Sequence, residues 1–452
     1  MYSPRHTKNN RIHSPVVTPY RFPERVMDYD ALSIIQRLQR FGYLAYFVGG
    51  CVRDVLLDQT PKDFDIVTSA HPREIRKIFR NAHLIGRRFK LAHLHFSKGK
   101  VLEVATFRQP PSSDSVEDGV IVEDNEFGTP ATDAYRRDFT INALFYDPLS
   151  GEIIDYVNGL QDIKDRKIRS IGEPTIRFRE DPVRMLRAIK FAARLNLTFD
   201  TLVFDAMEAE RDSIVMAARP RLQQELIRYL QGGAAKQSFE LLIKHRLLQL
   251  LSPEISAWFS GSKIRIDSFL SLLESHDLHT ASMWKNSSKE ELILSVMIWP
   301  WINGLIMGDE TQEFTDPIPK RQKKLKLLIL RMLAPSATRL GMSIKTLHGL
   351  ARIMTTLLLH RLESRQPKDL QNTNRRQALK GSNILESLLL LKARHHSGLE
   401  PELDWTMLNP ILEEIHVQNH ASQKIDKKSQ RVLMPSKPVI KPTERRRRKS
   451  RK

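Results

Sequence analysis

Asp63 and Asp65, separated by one residue, are the pair in this chain best placed for metal chemistry. On a strand, residues i and i+2 face the same side, about 6.6 Å apart along the chain. Two carboxylates so placed repel each other unless a cation lies between them. Hard oxygen donors suit magnesium, which takes carboxylates together with substrate phosphates. Two such ions about 3.5–4 Å apart can activate an attacking hydroxyl and stabilise a leaving pyrophosphate. By itself an Asp-x-Asp reads as an exposed strand face with two solvated acids, and its neighbourhood changes that weighting. Fourteen positions before Asp63 stands Gly49-Gly50-Cys51-Val52-Arg53-Asp54. Glycines between a strand and a helix let the backbone approach a phosphate, and the helix N-terminus adds partial positive charge. Arg53 supplies a formal charge nearby.

The elements that must hold these residues read as follows. Asp30 to Phe41 is a helix, with Leu32, Ile35 and Leu38 at helical spacing. Leu44 to Val48 is a strand running into the glycines, and Val52 to Leu57 resumes as helix. Phe64 to Val67, Val101 to Thr106, Phe139 to Tyr146 and Glu152 to Tyr156 are strand-like. Pro110 to Thr132, acidic and rich in Ser, Asp and Gly, reads as a long mobile loop. From Asp181 onward helix dominates, beginning with Val183, Leu186, Ile189 and Ala193. Later helices cover Leu222 to Leu230, Phe239 to Leu250, Glu290 to Ile298, Lys323 to Met332 and Ile344 to Leu362. The fold class is α+β: a head with a small mixed sheet, followed by an all-helical neck and body.

The glycine turn and Lys62-Asp63-Phe64-Asp65 together resemble the active-site signature of the class II nucleotidyltransferases, the family of the bacterial poly(A) polymerases and the tRNA CCA-adding enzymes. The resemblance continues at Arg136-Arg137-Asp138-Phe139-Thr140-Ile141-Asn142-Ala143 and at Glu180-Asp181-Pro182-Val183-Arg184-Met185-Leu186-Arg187-Ala188. These ordered motifs cover Tyr46 to Leu197, and the body is more loosely similar at Ile318-Pro319-Lys320-Arg321. The resemblance implies a nucleotidyltransferase head over residues 27–170, a neck at 171–235 that binds nucleotide and RNA, and a helical body at 236–417. A disordered lead, 1–26, and a disordered basic tail, 418–452, flank them.

By the same resemblance Asp63 and Asp65 are the ligands of Mg2+. Gly49, Gly50, Arg53, Arg136, Arg137, Asn142 and Arg187 serve nucleotide binding, the Arg136–Asp138 motif handling ribose and triphosphate. A third catalytic carboxylate is expected, and two candidates stand. Asp138 lies within the shared motif. Glu103 lies on an apolar strand with Val101, Leu102 and Val104, where an acid needs a reason to be, so it ranks behind Asp138 as a metal-proximal candidate that can equally be an exposed strand acid. Arg137 and Asp138 can also be read as merely neutralising each other. Asp181 and Arg184 are implied to pair with the incoming base. Adenine and cytosine both present an amino donor beside a ring-nitrogen acceptor, so the pair rejects guanine and uracil but cannot choose between A and C. Asp181 before Pro182 is equally a good helix N-cap. Arg194, on the same helix, reads as part of a solvated basic stripe.

Leu84-Ile85-Gly86-Arg87-Arg88-Phe89-Lys90-Leu91-Ala92-His93-Leu94 closely resembles the signature that separates bacterial poly(A) polymerases from their CCA-adding relatives. Arg87 and Arg88 are its RNA-binding candidates. The implied activity is template-independent addition of AMP from ATP to RNA 3′ ends by a two-metal mechanism, releasing pyrophosphate, in RNA polyadenylation and mRNA processing or decay. The alternative is a tRNA CCA-adding enzyme. Partners are ATP and RNA 3′ ends, with no membrane; which RNA-decay proteins would join such a role is left open by the sequence.

Bulk properties agree. The net charge is +20, and Lys424 to Lys452 holds thirteen Lys or Arg against Asp426 and Glu444. Arg445, Arg446, Arg447 and Arg448 within it are further RNA-binding candidates, since such a tail gains affinity for a polyanion by counterion release, and a solubilising or ribosome-sticking tail with no specific role is an equal reading of the same charge. Cys51 is the only cysteine, which fits a reducing, cytoplasmic setting. The first residues lack the apolar core of a secretion signal, and no apolar run is long enough to span a bilayer. His93 and His95 have no further ligand at zinc spacing. Trp284, Trp299 and Trp301 read as core packing.

Overall fold

The computed structural model describes residues 14–86, 91–109, 116–117, 120–121, 126–283, 290–308 and 318–364. In chain order the head contains β1 (Val16–Pro19), α1 (Tyr29–Arg40), β2 (Ala45–Val48), α2 (Gly50–Leu56), β3 (Ile66–Thr68), α3 (Pro72–Ile78), β4 (Ala82–Ile85), β5 (Leu91–His95) and β6 (Val101–Thr106). It continues with β7 (Val116–Glu117), β8 (Val120–Ile121), α4 (Pro130–Arg136), β9 (Leu144–Asp147), β10 (Glu152–Asp155), α5 (Gly159–Lys164) and β11 (Lys167–Ile168). The main sheet has the order β1-β10-β9-β2-β3-β6-β5-β4. Every pairing in it is antiparallel except β3 with β6.

Local chemistry explains the elements around the site. The Asp28 side chain caps α1 by accepting from the Asp30 and Ala31 amides, and Ala31, Ile34, Ile35 and Leu38 turn inward. All four residues of β2 are buried because the strand has a core on each face. Ala45 and Phe47 join the large core that runs on into the helical region. Tyr46 and Val48 join a smaller cluster with Val67, Phe107, Ala134 and Phe145.

After the head come α6 (Pro174–Glu180), α7 (Val183–Leu195), β12 (Thr198–Phe199), α8 (Thr201–Glu210), α9 (Arg219–Gln231) and α10 (Ala235–Lys244). Then follow α11 (Leu248–Leu251), α12 (Pro253–Phe259), α13 (Lys263–Met283), α14 (Glu290–Gly308), α15 (Ile318–Leu340) and α16 (Ile344–Ser364). The α+β architecture is as expected, with one addition: β12, inside the helical neck, pairs in parallel with β11. Trp299 and Trp301 are buried in the core, whereas Trp284 lies outside the described residues. No helix among the described residues is long and apolar enough to cross a membrane.

Three expectations are corrected. The disordered lead of residues 1–26 is ordered from residue 14. β1 pairs with the outer edge of β10, satisfying its backbone groups, and Phe22 stacks on Tyr146 with ring centroids 3.8 Å apart. The reading from polar and proline content overlooked that Tyr20 and Phe22 bring apolar surface to cover. The strand expected from Phe64 starts at Ile66, so Asp63 and Asp65 sit on its extended lead-in. The expected loop Pro110–Thr132 ends sooner: α4 starts at Pro130, with Thr129 accepting from the Thr132 amide. The tail of 418–452 lies outside the described residues.

Candidate active site

The glycine turn is held by backbone geometry that a side chain would strain. Gly49 has φ 75° and ψ −120°, and its amide donates to the Leu144 carbonyl. A Cβ there would stand 3.1 Å from Arg137 Nη1 and 3.5 Å from the Asn142 carbonyl oxygen. Gly49→Ala is therefore expected to lower unfolding free energy by about 1–3 kcal/mol. A urea midpoint unchanged from the wild type would contradict this. Gly50 opens α2, and Arg53 lies buried beneath the turn. Its guanidinium pairs with Asp54, donates to Asn142 Oδ1 and packs over the Phe191 ring at 4.9 Å. Its charge is thus spent inside the protein, behind the turn.

Asp63 and Asp65 are exposed on either side of the buried Phe64, the alternation of an extended segment. The parallel register of β3 and β6 sets Ile66 beside Val104. One step back, that register brings Asp65 beside Glu103. Glu103 in turn faces His93 on β5, with Oε1 3.4 Å from His93 Nε2. Loss of solvent and the nearby Glu103 and Asp63 push the Asp65 carboxyl above its ordinary value, against the pull of Arg137 and Arg53. Crowded hard-oxygen donors of one sign suit a divalent cation. Among the described residues no three acids, histidines or cysteines close a cage on a metal. Magnesium does not need one, since it keeps several waters and takes phosphate oxygens.

Behind these acids lies a second layer. Arg137 donates to Asp133 through Nε and Nη2 (3.1 and 2.9 Å) and to the Asn142 carbonyl through Nη1 (3.1 Å). Arg136 lies 3.9 Å from Asp133. Arg137 and Asp138 do not neutralise each other. Asp138 pairs with Arg187 Nε at 2.6 Å and also accepts from Asn142 Nδ2 and the Phe139 amide. Burial alone would raise the Asp138 carboxyl, but Arg187 and the two hydrogen bonds outweigh it and hold it down to about 2. Of the two candidates for a third carboxylate, Glu103 therefore stands beside Asp65, and Asp138 is committed to Arg187.

Asp181 and Arg184 share a turn, the Arg184 amide donating to the Asp181 carbonyl, but their side chains have other partners. Both Asp181 oxygens are gripped by Arg221, at 2.8 Å each. Arg184 Nη1 donates to Glu180 Oε2 (3.1 Å) and to the Arg177 carbonyl (2.7 Å). The N-cap reading of Asp181 is not realised, since its carboxylate caps no helix amide. Arg194 does not stand in solvent as part of a basic stripe. It donates to Asp54 at 2.9 Å, because α7 lies against the head.

Sequence reading overlooked Asp133, Arg177, Lys190, Arg221 and Glu225. Lys190 donates to Glu225 at 2.8 Å, and burial, against the pull of that carboxylate, brings its ammonium down to about 8. A single signal was available: Asp133 and Arg137 stand four residues apart on what proves to be a helix end. Arg87, Arg88 and Arg445 to Arg448 lie outside the described residues.

Residues 45–169 match the poly A polymerase head domain, and residues 196–259 the probable RNA and SrmB-binding site of polymerase A. Poly(A) polymerase I of Escherichia coli O6:H1 is 42% identical over 239 residues, 51% of this chain and 51% of that protein. Poly(A) polymerase I of Haemophilus influenzae is 41% identical over 248 residues, 53% and 54% of the two chains. The CCA-adding enzyme of Lactobacillus helveticus is 33% identical over 256 residues, 56% and 61%. The chain spans about half the length of the curated poly(A) polymerases it matches. Among solved structures, the Bacillus stearothermophilus CCA-adding enzyme in complex with CTP superposes with a TM-score of 0.55 at 25% identity, covering 81% of this chain and 77% of that one. The matched segments contain the glycine turn, the acid pair and the paired arginines of the second layer. On these grounds the matched part of the chain, residues 45–259, is that of a class II nucleotidyltransferase.

Proposed function

We propose that this chain is a polynucleotide adenylyltransferase, adding AMP from ATP to RNA 3′ ends without a template and releasing pyrophosphate. The observation that carries the chemistry is the parallel register of β3 and β6, which sets Asp65 beside Glu103 with Asp63 two residues away. Asp63 and Asp65, with Glu103 as the third carboxylate, would hold magnesium. When bound there, magnesium activates a ribose hydroxyl and neutralises charge on the leaving pyrophosphate. Asp138 keeps Arg187 aimed at the site, and Asp133 and the Asn142 carbonyl keep Arg137 against Gly49. Arg136, Arg137 and Arg187 then offer positive charge to ribose and triphosphate. Asp181, oriented by Arg221, and Arg184 read the base, accepting from its amino group and donating to its ring nitrogen.

The choice of adenine over cytosine rests on the segment Leu84–Leu94 and on the greater identity to poly(A) polymerases I, 42% against 33%, 36% and 38% for CCA-adding relatives. The basic tail from Lys424 supports the same reading. An enzyme acting on many unrelated RNA ends gains from sequence-independent electrostatics. The second reading, CCA addition to tRNA, is favoured by the superposition on a CCA-adding enzyme. ATP, CTP, GTP and UTP offered separately, with unstructured RNA and with tRNA lacking its terminal trinucleotide, decide between them. Long AMP tracts on unstructured RNA and little CMP incorporation are expected. Efficient CMP addition to the trimmed tRNA, followed by arrest after one AMP, would establish the second reading instead.

A further inference from the structure

Arg177 leaves α6 and turns back under the head. Its Nη2 donates to two consecutive carbonyls, those of Arg136 and Arg137, at 3.0 Å each. Its Nη1 donates to Glu180 Oε2 at 2.9 Å. The same Glu180 oxygen accepts from Arg184 Nη1, and that nitrogen also donates to the carbonyl of Arg177 itself. The Arg177 Nε is buried and without a hydrogen-bond partner among the described residues, so the fork is placed by its two Nη ends alone.

Each end has a physical consequence. The two carbonyls are the last of α4 and its C-cap, groups that the helix leaves without intrahelical donors. Capturing both fixes the peptide planes on either side of Arg137, and Arg137 is the residue packed against Gly49. At the other end, Glu180 and the Arg177 carbonyl together define where the Arg184 guanidinium lies. One planar side chain therefore spans the ribose- and triphosphate-facing segment of the head and the base-facing turn of the neck.

We propose that Arg177 is a positioning residue for nucleotide selection, coupling the backbone of Arg136 and Arg137 to the base-reading Arg184; this rests on the functional reading above. It touches neither substrate nor metal and acts through Arg184 and Arg137. A lysine keeps the charge and can cap α4, but its single ammonium cannot hold the two carbonyls and Glu180 in one plane. A shift of the base-reading arginine removes discrimination against guanine, which presents the reversed donor and acceptor pattern. Turnover as such is affected less.

The test compares the full-length wild type, Arg177→Lys, Arg184→Gln and the double variant. The assay is single-nucleotide incorporation of ATP or GTP on an unstructured RNA primer with saturating magnesium. Arg177→Lys is expected to raise KM for ATP about tenfold, leave KM for the primer within about twofold, and cut the ATP-over-GTP preference in kcat/KM about tenfold. The double variant is expected to lose no more preference than Arg184→Gln alone, since the two act as one unit. Glu180→Ala, at a half-exposed position, removes the shared acceptor while leaving the carbonyl contacts. Its melting temperature should match the wild type, and its ATP preference should fall in the same direction. If Arg177→Lys or Glu180→Ala lowers ATP and GTP incorporation by one common factor, or if the double variant's losses multiply, the coupling is wrong. A wild-type chain that neither binds nor incorporates any nucleotide overturns the functional reading and this inference with it. Wild-type activity with preference lost in Arg184→Gln but unchanged in Arg177→Lys and Glu180→Ala overturns this inference alone.

Discussion

Asp65→Ala is expected to reduce magnesium-dependent incorporation about a thousandfold or more, about 4 kcal/mol of lost transition-state stabilisation. The side chain supports no core: it is exposed, and the buried residues on either side of it are Phe64 and Ile66. The fold should therefore persist. In the metal-free chain the substitution should even be mildly stabilising. The Asp65 carboxyl, exposed but flanked by buried residues, is raised by loss of solvent around it and by Glu103 and Asp63. A carboxyl raised on folding contributes stability below its unfolded value and loses it as pH rises through its folded value. At neutral pH it is therefore a strain, which a bound cation or the substitution relieves. Magnesium should raise the melting temperature of the wild type and shift Asp65→Ala much less. EDTA should abolish wild-type incorporation. Near-normal turnover by Asp65→Ala, or an equal magnesium shift in both proteins, would remove Asp65 from the metal site.

Asp138→Asn should have the largest effect on stability, about 2–4 kcal/mol at pH 7, because it strips the partner from a mostly buried guanidinium. Arg187 then keeps the more distant Glu225, at 3.9 Å, and a weaker attraction from Asp181. The sign of the pH dependence is set by the Asp138 carboxyl, held at about 2 against an ordinary 3.8. A carboxyl lowered on folding contributes stability that is complete above its unfolded value and lost as pH falls through its folded value. The wild type should therefore hold an advantage of about 2 kcal/mol that fades between about pH 4 and pH 2. Urea unfolding of both proteins across that range measures it. A difference independent of pH would mean that Asp138 acts by shape and not by charge. Incorporation should also fall, since Arg187 loses the group that aims it.

Local chemistry made part of this molecule legible. The Asp28 cap, the inward stripe of α1, the strand leading into Gly49-Gly50 and the long apolar helices of the body all follow from short-range preferences. So does the exposure of Asp63 and Asp65 around Phe64, because alternation belongs to any extended segment. Proline and polarity misled at residues 14–26, where order comes from an edge that only the assembled sheet provides. The ordered motifs bounded the chemistry but left the third carboxylate open between Glu103 and Asp138.

What the tertiary structure alone decided is which groups meet. Asp65 feels Glu103 because β3 and β6 lie side by side in parallel, a pairing absent from either segment's own pattern. Asp181 is held by a residue 40 positions away, Arg53 reaches Asn142 across 89 positions, and Arg194 reaches Asp54 across 140. Side-chain periodicity and turn preference act over a few residues and say which face a residue takes. The partner of a buried charge is chosen by the packing of distant elements, because desolvation makes an unpaired charge there too costly to keep.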